Sequence, residues 1–237
     1  MKFLILWCAV WCWAFSARQA FADSNLLIFT ETSPPYQFQS GNKVEGIATE
    51  RVRNIIEQAG LHAEFKLFPW ARALKNVERS SRALIYSMAK TPAREKQFFW
   101  IAPVAQFDLS IVTLASRSDI TLDERLDLSG LSASAQRDDI AESWLLEKGL
   151  TVEDNLLLCA DILCSWRHLK SGRVDFIIED PNLIKPTAAL VGLKQDEIKV
   201  AQPIPELSIT AYLAANGAME TQLVERLQKA AAELGYQ

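Results

Sequence analysis

The chain has 237 residues and a formal net charge of −4, with 25 lysines and arginines against 29 aspartates and glutamates. No basic stripe and no interleaving of basic with aromatic residues occurs, which argues against a nucleic-acid-binding protein. After the first residues no apolar run reaches the length needed to cross a bilayer, so the sequence predicts no membrane-spanning segment in the body of the chain.

The N-terminus has the pattern of an export signal. Met1 and Lys2 precede an apolar run over residues 3–15, and Ala20-Phe21-Ala22 forms a small-residue cleavage site. The run is too short to span a bilayer, so residues 1–22 are predicted to be a signal peptide removed after Ala22. An uncleaved anchor is the alternative. Cleavage would remove two basic residues, leaving 23 lysines and arginines against 29 aspartates and glutamates. The mature, periplasmic protein would then have a net charge of −6.

Cleavage also leaves two cysteines, Cys159 and Cys164, in an oxidising compartment. The spacing is short and Cys164 falls in the first turn of a predicted helix, so a disulfide between them is feasible. Two buried free thiols are the alternative. His168 is the only histidine nearby, and a structural zinc site takes more ligands than these residues offer, so we expect no metal and no cofactor.

Strands and helices alternate along the mature chain. Apolar patterns predict a strand at 26–30, a helix at 48–59, a strand at 63–68, a helix at 71–79 and a strand at 83–87. A long apolar strand at 107–115 precedes a second series: strand 131–135, helix 140–148, strand 156–158, helix 162–171, strand 174–179, strand 207–214 and helix 219–234. Such alternation predicts an α/β protein with open sheets.

Two side chains follow strand ends, where open α/β sheets place ligand-binding groups. Trp70 lies in Pro69-Trp70-Ala71-Arg72, and Arg94 lies in the turn Thr91-Pro92-Ala93-Arg94. A guanidinium can hold a carboxylate by two parallel hydrogen bonds, and an indole offers a flat apolar or cation–π face. A surface arginine paired with Glu95 and a plain core tryptophan are the alternatives.

These segments, with Pro34–Tyr36 and Gly172–Asp180, resemble the family 3 extracellular solute-binding proteins, the periplasmic receptors of polar amino-acid ABC transporters. The similarity covers nearly all of the mature chain. It implies a type II periplasmic binding protein fold, with two open, mostly parallel sheets in two lobes joined by two crossing strands. Lobe 1 would be residues 23–106 and 213–237, and lobe 2 residues 107–212, with hinge crossings near 107–114 and 203–212.

The resemblance also implies roles for residues of lobe 1. Arg94 would take the ligand carboxylate, with Ser87 and Thr91 as nearby hydroxyls, and Trp70 would stack on the ligand. Tyr36, in the loop after the first strand, would line the cleft, or would simply pack on the lobe surface.

In lobe 2 the loop 136–139 and the end of the strand at 174–179 would meet the ligand. Arg137 is the better contact candidate in the loop, since Asp138 or Asp139 would cap the following helix. Glu179 and Asp180 stand where the resemblance implies an acid that holds the ligand's amino group. Asp180 has a competing role as the N-cap of a helix with Pro181 at its first position.

One position departs from the amino-acid binders. Two residues before Thr91 they usually carry a hydroxyl that shares the ligand carboxylate, whereas this chain has Ala89. A missing donor in a closed cleft costs about 1–3 kcal/mol for a ligand that needs it. A standard α-amino acid is therefore one option among small anions and zwitterions.

The favoured interpretation is a non-catalytic, monomeric receptor that closes on its ligand by hinge motion and presents it to an ABC permease. One alternative is a dehydratase-like periplasmic enzyme on the same scaffold, with Glu179 and Asp180 as a carboxyl pair. Against catalysis, the sequence contains no G-x-S-x-G, H-E-x-x-H or P-loop motif. Another alternative is an orphan ligand sensor that feeds a signalling partner.

Overall fold

The computed structural model describes residues 25–123 and 125–236, and the predicted signal peptide lies outside them. The strands in this part of the chain are β1 (Leu26–Thr30), β2 (Phe38–Ser40), β3 (Lys43–Glu45), β4 (Ala63–Leu67), β5 (Ala83–Ala89), β6 (Phe98–Leu114), β7 (Ala133–Gln136), β8 (Leu156–Cys159), β9 (Phe176–Glu179) and β10 (Ile198–Asn216). The α-helices are α1 (Ile47–Gln58), α2 (Trp70–Glu78), α3 (Pro92–Glu95), α4 (Ile140–Glu147), α5 (Ile162–Lys170), α6 (Pro181–Leu190) and α7 (Thr221–Glu233). None of these helices is long and apolar enough to cross a membrane.

Eight of the strands form one sheet in the order β4-β1-β5-β10-β6-β9-β7-β8. At one end β1 pairs in parallel with β4 and β5, and at the other β7 pairs in parallel with β8 and β9. Between them the long strands β6 and β10 run antiparallel to each other, with β10 also paired to β5 and β6 to β9. The expected pair of mostly parallel sheets is therefore joined into one, because both long strands continue through the middle.

Helices cover both faces of each parallel group. The group β4-β1-β5 and its helices α1, α2 and α7 are here called the first half, and the group β9-β7-β8 with α4, α5 and α6 the second half. In the first half, α1 and α7 bury Val52, Ile55 and Leu227 against the sheet at the 3.6-residue spacing of amphipathic helices. In the second half, α4 buries Leu145 and α5 buries Trp166.

Most predicted elements are present with ends shifted by one to a few residues. The hairpin β2–β3 was not predicted, because strands of three residues show too little alternation to be recognised. β6 begins at Phe98, nine residues before the predicted strand. The prediction missed this first part because a proline, Pro103, argues against a strand there. The predicted turn at 91–95 contains the short helix α3, and the strand predicted at 207–214 is the second part of β10.

The predicted disulfide is present. Cys159 ends β8 and Cys164 lies in the first turn of α5, with their Cα atoms 5.7 Å apart. Asp161 caps α5, because its carboxylate accepts a hydrogen bond from the Cys164 amide at 2.8 Å. The bridge therefore ties the end of a strand to the start of the next helix.

Candidate functional site

A cavity lies at the carboxyl ends of the parallel strands, between the first and second halves. The space inside that water can occupy is about 80 Å³. Its polar wall includes Glu31, Gln37, Ser87, Gln136, Asp139 and Glu179. Its apolar wall includes Trp70, Phe107, Leu109, Ile140, Ile178 and Leu183. Carboxyl ends of strands are where open α/β sheets bind ligands, so this cavity is the candidate site.

The topology explains how these side chains meet. Glu31 follows β1 directly, Ser87 lies near the end of β5, and both strands are parallel neighbours in the first half. In the second half, Gln136 ends β7 and Glu179 ends β9, again parallel neighbours. Each half therefore contributes the last residues of its strands to opposite walls.

Trp70 and Arg94, predicted to contact a ligand, both bind the carbonyl oxygen of Asp138. The Trp70 indole N–H donates to it at 2.8 Å and Nη2 of Arg94 at 2.6 Å, while Nη1 of Arg94 lies 3.4 Å from the Ala89 carbonyl oxygen. The guanidinium also lies over the Trp70 ring, 5.3 Å from its centroid. Trp70 lines the cavity, whereas the guanidinium connects the two halves beside it.

Asp138 presents this carbonyl in a left-handed backbone conformation, with φ of 60°. Its amide N–H donates to the Glu142 carboxylate one turn along α4. Burial lowers the pKa of Arg94, and the nearby charges of Asp139 and Asp138 oppose that shift. The side chain is thus held as a cation against the start of α4.

Ser87 lies in the cavity wall, also in a left-handed conformation with φ of 60°. Its hydroxyl donates to Oε1 of Gln37 at 2.9 Å, which orients the Gln37 amide beside the cavity. Ala89, the position that departs from the amino-acid binders, lies in the same wall. No hydroxyl therefore replaces the missing one at that position.

Two carboxyl groups of the cavity, those of Glu31 and Asp139, have raised pKa values. Burial raises the pKa of Glu31 well above its ordinary value, the charge of Asp139 raises it further, and a hydrogen bond with Gln136 works in the opposite direction. Burial also raises the pKa of Asp139, against the stabilising effect of the α4 amides and of Arg94. Both groups face the same enclosed space, so their charges are mutually unfavourable.

Glu179 and Asp180 are adjacent but have different roles. Burial raises the pKa of Glu179 to about 7, although Trp166 Nε1 donates to its carboxylate at 3.1 Å and the Asp180 amide at 3.0 Å. Asp180 caps α6 by accepting from the Asn182 amide at 2.7 Å, and its other oxygen accepts from the Asp108 amide at 2.9 Å. Glu179 lines the cavity, while Asp180 ties α6 to β6.

The remaining predicted residues lie outside the cavity wall. Tyr36 packs edge-on against Phe107 and donates to the Gln106 carbonyl oxygen at 3.4 Å, in a surface depression. The Thr91 carbonyl oxygen accepts from the Arg94 and Glu95 amides of α3. Arg137 is exposed, and its amide donates to the Cys159 carbonyl oxygen. Of the eight predicted ligand residues, the wall therefore contains Trp70, Ser87 and Glu179.

Besides Gln37, three of the polar wall residues named above were not singled out as ligand contacts: Glu31, Gln136 and Asp139, of which the last two lie in the loop 136–139 that was expected to meet the ligand. Each lies at the end of a strand or directly before a helix, at positions that open sheets use for ligands. An acidic residue directly after a fully apolar strand was the signal that could have identified Glu31. Asp139 was interpreted as a helix cap; it does precede α4, but its carboxylate also faces the cavity.

The histidine on α5 faces the disulfide. Nδ1 of His168 lies 3.1 Å from the Ser134 hydroxyl and 3.5 Å from Sγ of Cys159. Ligand atoms of Cys159, Cys164 and His168 lie within 4.8 Å of one another, but the two sulfurs are bonded to each other and offer no thiolates. Ser134 is 1% exposed, so its hydroxyl is inaccessible to a substrate.

Comparisons with known proteins agree with this architecture. The model of the bacterial extracellular solute-binding proteins, family 3, matches residues 26–235. Among proteins with curated descriptions, none matches this sequence.

Several solved structures are similar over nearly the whole chain. A histidine kinase sensor domain with similarity to periplasmic binding proteins has a TM-score of 0.73 and 20% identity, covering 90% of each chain. Truncated arginine-bound ArgBP from T. maritima has a TM-score of 0.74 and 18% identity, covering 90% of this chain and 97% of that one. A putative L-cystine ABC transporter protein from Listeria monocytogenes has a TM-score of 0.71 and 20% identity, covering 89% of each chain. These likenesses confirm the predicted type II periplasmic binding protein fold.

Proposed function

The chain belongs to the bacterial extracellular solute-binding proteins of family 3, and we propose that it is a periplasmic receptor that closes on a small polar ligand. The observation that carries this proposal is the cavity, whose wall takes Glu31 and Ser87 from the first half and Gln136 and Glu179 from the second. A ligand that contacts both walls would stabilise their approach. We further propose that the loaded protein presents the ligand to an ABC permease as a monomer.

The proposed motion uses the two long strands. Residues 23–106 and 213–237 would form one lobe and residues 107–212 the other, with the crossings of β6 and β10 bending as a hinge. The hydrogen bonds from Trp70 and Arg94 to the Asp138 carbonyl join the two halves and would favour the closed form. In this proposal Arg94 holds the closed form rather than a ligand carboxylate.

A thermal-shift screen of residues 23–237 tests the proposal. The protein would first be partially unfolded and dialysed to remove carried ligand, then screened against amino acids, amines, small carboxylates and aromatic acids. A ligand at a hundredfold excess over its dissociation constant stabilises by about 2.7 kcal/mol, which is several degrees for a domain of this size. A screen in which no compound raises the melting temperature would contradict the receptor function.

Paired variants test whether a hit occupies the cavity. Gln136→Leu replaces a wall amide by an apolar group of similar volume, and Gln195→Leu makes the same change at an exposed position. The stabilisation should weaken in the first variant and stay unchanged in the second. Equal responses would mean that the ligand binds elsewhere.

A second candidate function is the input domain of a signalling system. The similarity to a histidine kinase sensor domain favours it, because that domain shares the fold over 90% of both chains. Deletion of the gene for this protein distinguishes a transport receptor from a sensor input. A transport receptor predicts loss of uptake of the ligand, whereas a sensor input predicts normal uptake and loss of the transcriptional or phosphorylation response.

Catalysis is the remaining alternative, since a carboxyl group with a pKa of about 7 can act as a general acid or base. Both oxygens of Glu179 already accept hydrogen bonds from Trp166 and Asp180, which restricts their use in proton transfer. The receptor proposal predicts that the ligand is recovered unchanged after long incubation with the protein, as checked by mass spectrometry. Time-dependent conversion that stops in Glu179→Gln would support an enzyme.

A further inference from the structure

The cavity wall contains hydrogen-bond acceptors that have no partner. Oε2 of Glu31 and Oε1 of Gln136 are both shielded from solvent and accept no hydrogen bond. Gln136 is only 7% exposed, so its amide oxygen cannot find bulk water as a substitute. A buried acceptor without a hydrogen bond is unfavourable, and both residues line the same enclosed space. A ligand that donates hydrogen bonds would satisfy both atoms.

The charge of the wall has one sign. Glu31, Asp139 and Glu179 contribute three carboxyl groups, and no lysine, arginine or histidine occurs among the described residues that line the cavity. The nearest guanidinium, Arg94, already donates to the Asp138 carbonyl oxygen and stacks on Trp70. Ala89 occupies the wall position where a hydroxyl could have helped to bind a carboxylate. A ligand carboxylate would therefore meet three carboxyl groups and no cationic side chain, and its hydrogen bonds would have to come from the neutral hydroxyl and amide groups of the wall: Thr32, Ser33, Gln37, Ser87, Gln136 and Thr187.

The spacing of the carboxyl groups favours an organic cation over a metal ion. Within the described residues, the three carboxyl groups do not form a set whose oxygen atoms all lie within 4.8 Å of one another. A metal ion held by all three carboxyl groups would need such a set, whereas an ammonium or guanidinium group on a carbon chain can reach acceptors that are farther apart. Between the acceptors, Phe107, Leu109 and Ile178 supply apolar surface for methylene groups.

We propose that the cavity binds a small organic cation without a carboxylate, such as an alkyl diamine or a guanidino-amine, with Glu31 and Gln136 accepting hydrogen bonds from its charged end. Because Glu31 belongs to the first half and Gln136 to the second, one charged group would connect the two walls. Glu31 is thereby assigned as the residue that determines selectivity for a cation. This inference rests on the proposed receptor function and specifies the class of its ligand.

Matched pairs of probes test the inference, using calorimetric titration of the stripped protein, residues 23–237. Agmatine and arginine differ by one carboxylate, as do cadaverine and lysine, and putrescine and ornithine. At least one amine should bind at least tenfold more tightly than the amino acid from which it differs. Equal or tighter binding of the amino acids, or binding of glutamate or neutral amino acids alone, would overturn the inference and leave the receptor function standing.

A charge-removing variant locates the selectivity. Glu31→Gln keeps the size of the side chain and removes its capacity to carry a charge, and Glu64→Gln makes the same change at an exposed position of β4 in the same half. The amine should bind at least tenfold more weakly to Glu31→Gln and unchanged to Glu64→Gln. Loss of a buried carboxyl should not lower the melting temperature, which verifies that the variant folds. Unchanged amine affinity in Glu31→Gln would overturn the assignment, and absence of binding by every probe and by the wider screen would overturn the receptor function as well.

Discussion

The Asp138 carbonyl oxygen is a single atom that connects two of the predicted ligand residues, Trp70 and Arg94. Trp70 and Arg94 were expected to contact a ligand directly, and both donate to this oxygen from across the cavity. Their positions after strand ends were predictable, but their common acceptor was not. It is a main-chain atom whose exposure depends on the left-handed conformation of Asp138, and no side-chain pattern encodes that contact.

Trp70→Phe tests the contribution of this contact to closure. A smaller aromatic ring is kept beside Arg94, while the indole N–H that donates to Asp138 is lost. One hydrogen bond contributes about 1 kcal/mol, so ligand affinity should fall about fivefold. Trp100→Phe is the matched control, because its indole N–H also donates to a main-chain carbonyl oxygen, that of Glu95, away from the cavity. Equal affinities of the two variants, measured by titration calorimetry, would contradict the role of Trp70.

The raised pKa of Glu179 predicts that the stability of the protein depends on pH. Its pKa is raised from an ordinary 4.5 to about 7 in the folded protein, so the folded state binds more protons than the unfolded state between these values. Its contribution is therefore most favourable below pH 4.5 and is lost as the pH rises through 7. The free energy of unfolding of the wild type, relative to Glu179→Gln, should fall by at most about 3 kcal/mol from pH 5 to pH 8.

Urea denaturation of both proteins at several pH values measures this difference. Glu179→Gln cannot titrate, so the subtraction removes the contributions of Glu31 and Asp139 as far as they are independent of residue 179. A constant difference across the range would mean that Glu179 titrates normally in the folded protein. A difference that grows with pH would contradict the sign.

At the scale of elements, the disulfide connects β8 to α5, and α5 contributes to the site in two ways. Ile162 lines the cavity and Trp166 donates to Glu179. The double variant Cys159→Ser, Cys164→Ser should lower the free energy of unfolding by about 2 kcal/mol, because the bridge closes a short loop. We expect ligand affinity to fall as well, since the start of α5 is then less fixed.

Denaturant unfolding and ligand titration of the double variant check both parts, with reduced wild-type protein as a second comparison. Unchanged affinity alongside lowered stability would separate the bridge from the site. Unchanged stability would mean that the Asp161 cap and the packing of Trp166 are sufficient to hold α5.

The elements themselves were largely predictable, because long amphipathic helices and apolar strands have clear periods. α1, α4, α5 and α7 were predicted with ends within two or three residues, and each has a buried face at helical spacing. The hairpin β2–β3 and the first part of β6 were missed. The two hairpin strands have only three residues each, too few to show an alternating pattern. The first part of β6 is stabilised by pairing with β10, which is distant in sequence and is not revealed by local patterns.

The site was predictable only in part, and the reason is geometric. Sequence placed Trp70, Ser87 and Glu179 at strand ends that meet, and these line the cavity. Glu31 and Gln136 lie at equivalent strand ends, but a single acidic or amide residue there has no spacing motif to distinguish it. Asp180 was predicted to be either a ligand residue or a helix cap. Its carboxylate accepts a hydrogen bond from the Asn182 amide, as the side chain of a helix cap does.

On the scale of the whole molecule, the acidic cavity lies between two sheet halves that share the strands β6 and β10. Carboxyl groups lie on both walls, Glu31 on one and Glu179 on the other, and in their charged forms they oppose the approach of the walls. A cation between them would remove that opposition. Ligand binding and closure would thereby become one event, with the Trp70 and Arg94 contacts to Asp138 completing it.

Small-angle X-ray scattering of the stripped protein, alone and saturated with the ligand found by the screen, tests this closure most directly. The radius of gyration should decrease on ligand addition, and it should decrease less in Trp70→Phe at the same ligand concentration. An identical radius of gyration with and without a ligand that demonstrably binds in the cavity would contradict a receptor that closes around its ligand.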